Sequence, residues 1–164
     1  MIGLNLNILK KNNKIVIITN SNKNIGNGHF VRSKNLCYIL KNNNYKTQLL
    51  HNIKDKEIEN KIFKQRNIFL IIIDTNQIKI QLINKLINNF KVLCLDNFQN
   101  IKPHYNILIH EHKKIKIINQ KFVGLKYINL RNEITKINKK KSKELIYKKN
   151  VLICIGSGDI KNQG

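Results

Sequence analysis

The sequence predicts an α/β fold: a Rossmann-like parallel β-sheet with helices on both faces. Short β-branched, apolar segments alternate with amphipathic segments over roughly the first hundred residues, an order typical of right-handed βαβ units. One apolar segment, 69–74 (FLIIID), shows no polar alternation, so we expect it to be buried on both faces. A chain of 164 residues, of which 41% are hydrophobic, is long enough to bury such a core.

Each element follows from a local pattern. Segments rich in β-branched residues are typical of strands, and apolar residues spaced by about 3.6 are typical of helices. The predicted strands are 13–19, 45–51, 69–74, 92–96, 105–110 and 151–155, and the predicted helices are 28–41, 55–66 and 78–88. Residues 132–149 are Lys-rich, and we expect them to be helical or to act as a linker.

The composition is dominated by Lys, Ile and Asn, which make up 87 of the 164 residues. A net charge of +22 favours nucleic acid or an anionic surface as a partner. However, only three of the 31 basic residues are Arg, the residue that makes bidentate contacts with phosphates and bases. Because Lys, Asn and Ile share A/T-rich codons, an A/T-rich genome explains the charge. We therefore expect no specific nucleic-acid partner, with a basic RNA-binding or anionic-surface-binding module as an alternative.

The cysteines and histidines predict neither disulfides nor a metal site. Cys37, Cys94 and Cys154 lie far apart in apolar segments, which favours free thiols in a reducing, cytoplasmic compartment. The string 110–112 (HEH) places two histidines on one face of a strand, but a third ligand is not evident. No apolar run approaches the roughly 20 residues that span a bilayer, and we expect no signal peptide.

The loop after the first strand contains Gly26, Asn27, Gly28 and His29, followed three residues later by Arg32. The glycines allow a tight turn and a close approach of ligand to backbone, and the N-terminus of the next helix attracts anions. The positive end of the helix dipole disfavours imidazolium, so we expect His29 to be neutral, as a general base must be. A helix-capping loop with an incidental histidine is the alternative.

Residues 25–32 (IGNGHFVR) resemble the Gly-x-Gly-His-x-x-Arg motif of the UDP-sugar hydrolases of pseudaminic acid biosynthesis. These enzymes are relatives of the MurG-like glycosyltransferases, which have the two-domain GT-B fold. Segments similar to later family motifs follow in the same order at 70–74, 92–96, 106–109, 124–133 and 151–159. The resemblance implies the N-terminal domain of a GT-B fold with its linker over 1–149, and the first strand and glycine loop of a second, nucleotide-binding domain over 150–164.

The resemblance also implies an activity. Family members cleave UDP from a UDP-linked 2,4-diacetamido-2,4,6-trideoxy sugar in nonulosonic acid biosynthesis, without a metal or other cofactor. By resemblance, His29 is the catalytic base that activates water. The expected substrate-binding residues are Gly26, Asn27, Gly28, Arg32, Asp74, Asp96, Tyr127, Gly156, Ser157 and Gly158.

The chain departs from the family pattern at several positions. The tyrosine that often follows the strand ending at Asp74 is missing, Asn97 stands in place of an acid, and Ser157 stands in place of a glycine. Most of the nucleotide-binding domain is also missing, so we expect the 164-residue chain to be nearly inactive alone. Two kinds of hypothesis account for the missing domain. Either the gene is truncated or decaying, or a separate chain supplies the second domain. A fragment of a GT-B glycosyltransferase is the alternative activity.

Overall fold

The computed structural model describes residues 14–23, 26–96, 101–108, 120–124 and 127. Within these ranges the chain forms strands and helices in the alternating order that the sequence predicts. The elements are β1 (Lys14–Thr19), α1 (Gly28–Asn42), β2 (Lys46–His51), α2 (Asp55–Phe63), β3 (Ile68–Asp74), α3 (Ile80–Asn89), β4 (Val92–Leu95), β5 (Tyr105–Leu108) and β6 (Gln120–Val123).

The six described strands form one sheet in the order β2-β1-β3-β4-β5-β6, and all neighbouring strands are parallel. The chain passes from β1 to β2 on one side and then returns to form β3 on the other side of β1. The strand order therefore reverses between β1 and β3. The predicted α/β fold with a parallel sheet is confirmed.

The core lies on both faces of the sheet because alternate residues of each strand point in opposite directions. In β1, Val16 and Ile18 belong to the apolar cluster that includes the buried residues of α2 and α3. Ile15 and Ile17 belong to the other cluster, which contains Cys37 of α1. All four β1 side chains are at most 3% exposed, and burial of such a side chain contributes about 1.5–3 kcal/mol.

The structure corrects several predicted boundaries. The fourth strand ends at Leu95 rather than at Asp96, because Asp96 adopts a left-handed backbone conformation with φ of +48°. Strand β6 was not predicted, since its four residues (QKFV) are too few to show a strand pattern. The Lys-rich segment 132–149, the predicted strand 151–155 and the proposed domain boundary lie outside the described residues.

Both cysteines of the described residues are buried free thiols. Cys37 Sγ lies 3.1 Å from Thr47 Oγ1, and burial raises the pKa of the Cys94 thiol to about 12. A thiol with that pKa stays protonated at neutral pH and acts as a small apolar core residue. No described helix combines the length and the apolar character needed to cross a bilayer.

Candidate functional site

Four charged or titratable side chains meet at the carboxyl edge of the sheet, where the strand order reverses. His29 and Arg32 lie in the first turns of α1, Asp74 ends β3, and Asp96 follows β4. In open parallel sheets, ligands bind outside the carboxyl ends of the strands at such a point, because successive connections leave on opposite faces there. We call His29, Arg32, Asp74 and Asp96, together with Ser33 of α1, the Asp74 cluster.

Asp74 is the centre of this cluster. Its side chain is fully buried and accepts four hydrogen bonds, all from α1. Oδ1 accepts from His29 Nδ1 at 2.7 Å and from Arg32 Nη2, while Oδ2 accepts from Arg32 Nε at 3.0 Å and from Ser33 Oγ at 2.9 Å. Both carboxylate oxygens are thus saturated by donors on a single helix.

The surroundings of Asp74 determine its ionisation. Burial alone would raise its pKa, because a carboxylate loses hydration in the interior. The hydrogen bonds from His29 and Arg32, with the positive charge of Arg32, more than offset this effect and hold the pKa below its usual value. Asp74 is therefore a carboxylate at neutral pH and can only accept hydrogen bonds.

Arg32 joins the two acidic residues of the cluster. Its Nε and Nη2 form a bidentate contact with Asp74, and its Nη1 donates to Asp96 Oδ2 at 2.6 Å. Burial would lower the pKa of the guanidinium, but the hydrogen bonds and charges of both carboxylates raise it further above its ordinary value. A lysine could not replace this arrangement, because one ammonium lacks the planar fork of donors.

The backbone at the end of β4 directs Asp96 toward Arg32. Asp96 is one of three non-glycine residues in the described ranges with positive φ, and its N–H donates to Ile107 O at 2.8 Å. A left-handed non-glycine residue costs conformational energy and persists only where its surroundings impose it, and such residues concentrate at functional sites. The carboxylate of Asp96 is 16% exposed and so lies at the boundary between the cluster and solvent.

His29 is the most exposed side chain of the cluster. Because the Asp74 carboxylate has no proton to give, the 2.7 Å contact places a hydrogen on Nδ1 of His29. In the neutral imidazole the lone pair then resides on Nε2, which makes no hydrogen bond to any described residue. With 28% of its side chain exposed, His29 has the geometry of a general base oriented by a buried carboxylate.

The two glycines in the loop before α1 differ in burial and in backbone conformation. Gly26 is buried with φ of +68°, and its N–H donates to Asn22 O at 2.8 Å, which closes a tight turn. Gly28 starts α1 and is exposed, and a Cβ added there would meet no atom within 4 Å. Asn27 is exposed at the N-cap position, and its side chain does not cap the helix.

An apolar cavity of about 160 Å³ opens beside the cluster. Arg32, Asp96 and Tyr127 lie in its wall, with leucine and isoleucine side chains from α1, β3, β4 and β5. Tyr127 packs edge-on against Phe122 of β6, and its N–H donates to Gly124 O at 3.1 Å. The cavity can hold an apolar substituent of a ligand whose polar groups reach the cluster.

The structure thus brings together His29, Arg32, Asp74 and Asp96, and Tyr127 lines the cavity next to them. The loop residues Gly26, Asn27 and Gly28 immediately precede His29 in the chain. Gly156, Ser157, Gly158 and the histidines of 110–112 lie outside the described residues. Within the described ranges, no group of three or more His, Cys, Asp or Glu could hold a metal ion.

Ser33 is a fully buried side chain that donates to Asp74, and it is not among the residues predicted from the sequence. The spacing of Ser33 from His29 and Arg32 in the sequence indicates this role. Residues 29, 32 and 33 are spaced by three and four, so they share one face of a helix. A serine on that face, among apolar neighbours, indicates a buried polar partner.

Comparison with known proteins identifies no relative: no family model, curated protein or solved structure matches the chain. Support for a function therefore comes from the geometry of the Asp74 cluster and from the motif resemblance.

Proposed function

We propose that the chain is a hydrolase of the nucleotide-sugar type, or the half of one that carries the base. The observation that supports this proposal most strongly is the hydrogen bond from His29 Nδ1 to the buried carboxylate of Asp74. It fixes the imidazole so that Nε2 can take a proton from water. The water would attack the anomeric carbon, the bond from that carbon to the diphosphate oxygen would break, and UDP would leave.

The substrate class follows from the motif resemblance and is supported by the shape of the site. A 2,4-diacetamido-2,4,6-trideoxy sugar carries methyl groups next to polar amides. The cavity beside the cluster has mainly apolar walls, with Arg32, Asp96 and Tyr127 as its polar groups. Such a site suits a sugar with apolar substituents, since a few placed polar groups then fix its orientation.

The test is UDP release from the UDP-linked sugar in ¹⁸O-water, under single-turnover conditions with the full chain in excess. Hydrolysis places ¹⁸O on the sugar, whereas transfer to an added acceptor does not. We expect His29→Gln to lower the rate by about 10²–10⁴-fold, the usual contribution of a general base. His104→Gln is the matched control, because His104 precedes β5 and so lies at the opposite edge of the sheet. Its Nδ1 accepts a hydrogen bond from the N–H of Val92 at 3.3 Å.

Three results would contradict the proposal. Release no faster than without protein, together with no binding of the UDP-sugar in titration calorimetry, would exclude the substrate class. A rate unchanged in His29→Gln would remove His29 from the reaction. Product formed only with an added acceptor would identify a glycosyltransferase instead.

Gly28→Ala separates ligand contact from folding. The added methyl group meets nothing in the protein, and Ala has a higher helix propensity than Gly by about 1 kcal/mol. We expect unfolding in urea to show unchanged or slightly increased stability. If the sugar diphosphate approaches the start of α1, the same variant should bind the UDP-sugar at least about 10-fold more weakly, because the methyl group would occupy its space. Unchanged affinity in titration calorimetry would place the ligand elsewhere.

A further inference from the structure

A second pair of polar side chains lies at the carboxyl ends of β1 and β2. Ser21 follows β1 by two residues, and its Oγ lies 2.7 Å from Nε2 of His51, the last residue of β2. Neither residue contributes to the hydrogen bonds of Asp74. A hydroxyl at this distance from an imidazole nitrogen has the arrangement of a nucleophile and its base.

The backbone fixes the position of Ser21 through Asn52. The N–H of Asn52 donates to Thr19 O at 3.1 Å, and its side-chain Oδ1 accepts from the N–H of Ser21 at 2.8 Å. Asn52 has φ of +53°, a conformation that Asn tolerates better than most residues. These two bonds tie the segment after β1 to the segment after β2, so that the Ser21 hydroxyl is held opposite His51.

The imidazole of His51 is also held in place. Its ring stacks on Phe30 of α1, with ring centroids 4.0 Å apart and an angle of 27° between the planes. This contact restrains the ring while Nε2 faces Ser21. In catalytic serine sites a third group orients the base, and here the stacked ring supplies that restraint.

Ser21 also lines an open polar cleft of about 580 Å³ on the α2 and α3 side of the sheet edge. Lys54, Lys56 and Lys79 line the same cleft. Its one lining carboxylate, Asp55, accepts a hydrogen bond from the backbone N–H of Lys79. The cleft is therefore positively charged and favours ligands that carry an anionic group.

We propose that Ser21 and His51 form a second reactive site, which cleaves carboxylic esters bearing an anionic group. Ser21 Oγ attacks the ester carbonyl while His51 Nε2 takes its proton. The carbon–oxygen bond to the alcohol breaks, and the proton passes from His51 to the leaving alcohol. Water then attacks the acyl-serine, His51 accepts the water proton and returns it to Ser21 Oγ, and the carboxylic acid leaves.

A fluorophosphonate probe tests the pair on the full chain without any assumption about the Asp74 cluster. Attack by Ser21 forms an oxygen–phosphorus bond and expels fluoride, and this reagent spares the many lysines that an activated ester would acylate. Mass spectrometry of the tryptic peptide 15–23 locates the adduct. We expect labelling of Ser21 in the wild type and its absence in Ser21→Ala.

His51→Phe is the decisive variant, because it retains an aromatic ring to stack on Phe30 and removes only the base. We expect its labelling rate to fall by about 100-fold or more, in line with general-base contributions. Circular dichroism on each variant checks that the fold is retained. An unlabelled Ser21 in the wild type, or equal labelling in folded His51→Phe, would overturn the proposal and leave the contact as a tether between loops.

Competition tests the charge preference of the cleft. Monoethyl succinate, an anionic ester, is expected to slow probe labelling more than the neutral ester ethyl butyrate does. In Lys54→Gln/Lys79→Gln this difference should shrink. Equal protection by the two esters in the wild type would contradict the anionic substrate class.

Discussion

Replacement of Asp74 by Asn is expected to lower the free energy of unfolding by about 3–5 kcal/mol, the usual cost of breaking a buried ion pair. The amide has nearly the same shape as the carboxylate, so the loss is electrostatic. Asp74 is the acceptor in all four of its hydrogen bonds, two at each oxygen. Either orientation of the amide therefore turns an NH₂ group toward donors and leaves the mostly buried Arg32 without its main charge partner.

Urea unfolding followed by circular dichroism measures this loss. Glu59→Gln is the control, because Glu59 pairs with Lys85 at the surface, where both side chains are more than a third exposed. Pairs of that kind contribute about 0–1 kcal/mol. Similar losses in the two variants would mean that the Asp74 cluster is no more important to stability than an ordinary surface pair.

The same substitution should also change the dependence of stability on pH. The folded-state pKa of Asp74 lies below the value of 3.8 that an unperturbed Asp has, so the unfolded chain takes up this proton first as the pH falls. The contribution of Asp74 is thus complete above about pH 4 and is lost as the pH falls through the folded-state pKa. Since the chain has only nine acidic residues, the wild type should lose stability more steeply than Asp74→Asn below pH 4.

Asp74→Asn should affect the reaction through His29. If the amide NH₂ faces Nδ1, that nitrogen must accept, and the hydrogen moves to Nε2, where it blocks proton abstraction from water. A wrong tautomer of this kind can lower the rate by up to about 10⁴-fold. Nitrogen-15 spectra of the imidazole report the tautomer directly. Hydrogen on Nδ1 of His29 is expected in the wild type, and hydrogen on Nε2 there would contradict the assignment of His29 as the base.

The centre of the sheet was predictable because β1, β3 and β4 are almost continuously apolar. In β3, residues 69–73 form a continuous apolar run, which indicated burial on both faces and hence a parallel sheet without any tertiary information. Strand β6 was not predictable in this way. Its four residues pair with β5 through backbone hydrogen bonds, which leave no pattern in the sequence.

The site was predictable only in part, because the sequence indicates where strands end but not which side chains make contact there. Strand ends and the glycine loop indicated His29, Asp74 and Asp96 as candidates, because ligands bind at the carboxyl edge of such sheets. The sequence did not reveal that Arg32 contacts two carboxylates. The contact with Asp96 is made from a left-handed backbone, and aspartate adopts this conformation too rarely for a sequence to predict it.

Removal of Asp74 together with its donors Arg32 and Ser33 should restore most of the stability that single substitutions lose. In Arg32→Met/Ser33→Ala/Asp74→Leu, the bidentate ion pair and the serine donor disappear together, so no buried charge or hydroxyl is left without a partner. Replacing both partners of a buried polar contact by apolar groups is often nearly neutral or even stabilising. We expect the triple variant to unfold within about 2 kcal/mol of the wild type, against a loss of about 3–5 kcal/mol for Asp74→Leu alone.

This comparison separates the two reasons for which a buried ion pair can exist. The remaining members, His29 and Asp96, are 28% and 16% exposed, so water can hydrate them once their partners are gone. If the triple variant is stable but releases no UDP, the cluster is kept for its chemistry, because an apolar core would serve the fold equally well. If the triple variant is as unstable as Asp74→Leu, the same hydrogen bonds are needed to hold α1 against β3, and the orientation of His29 is a consequence of that packing.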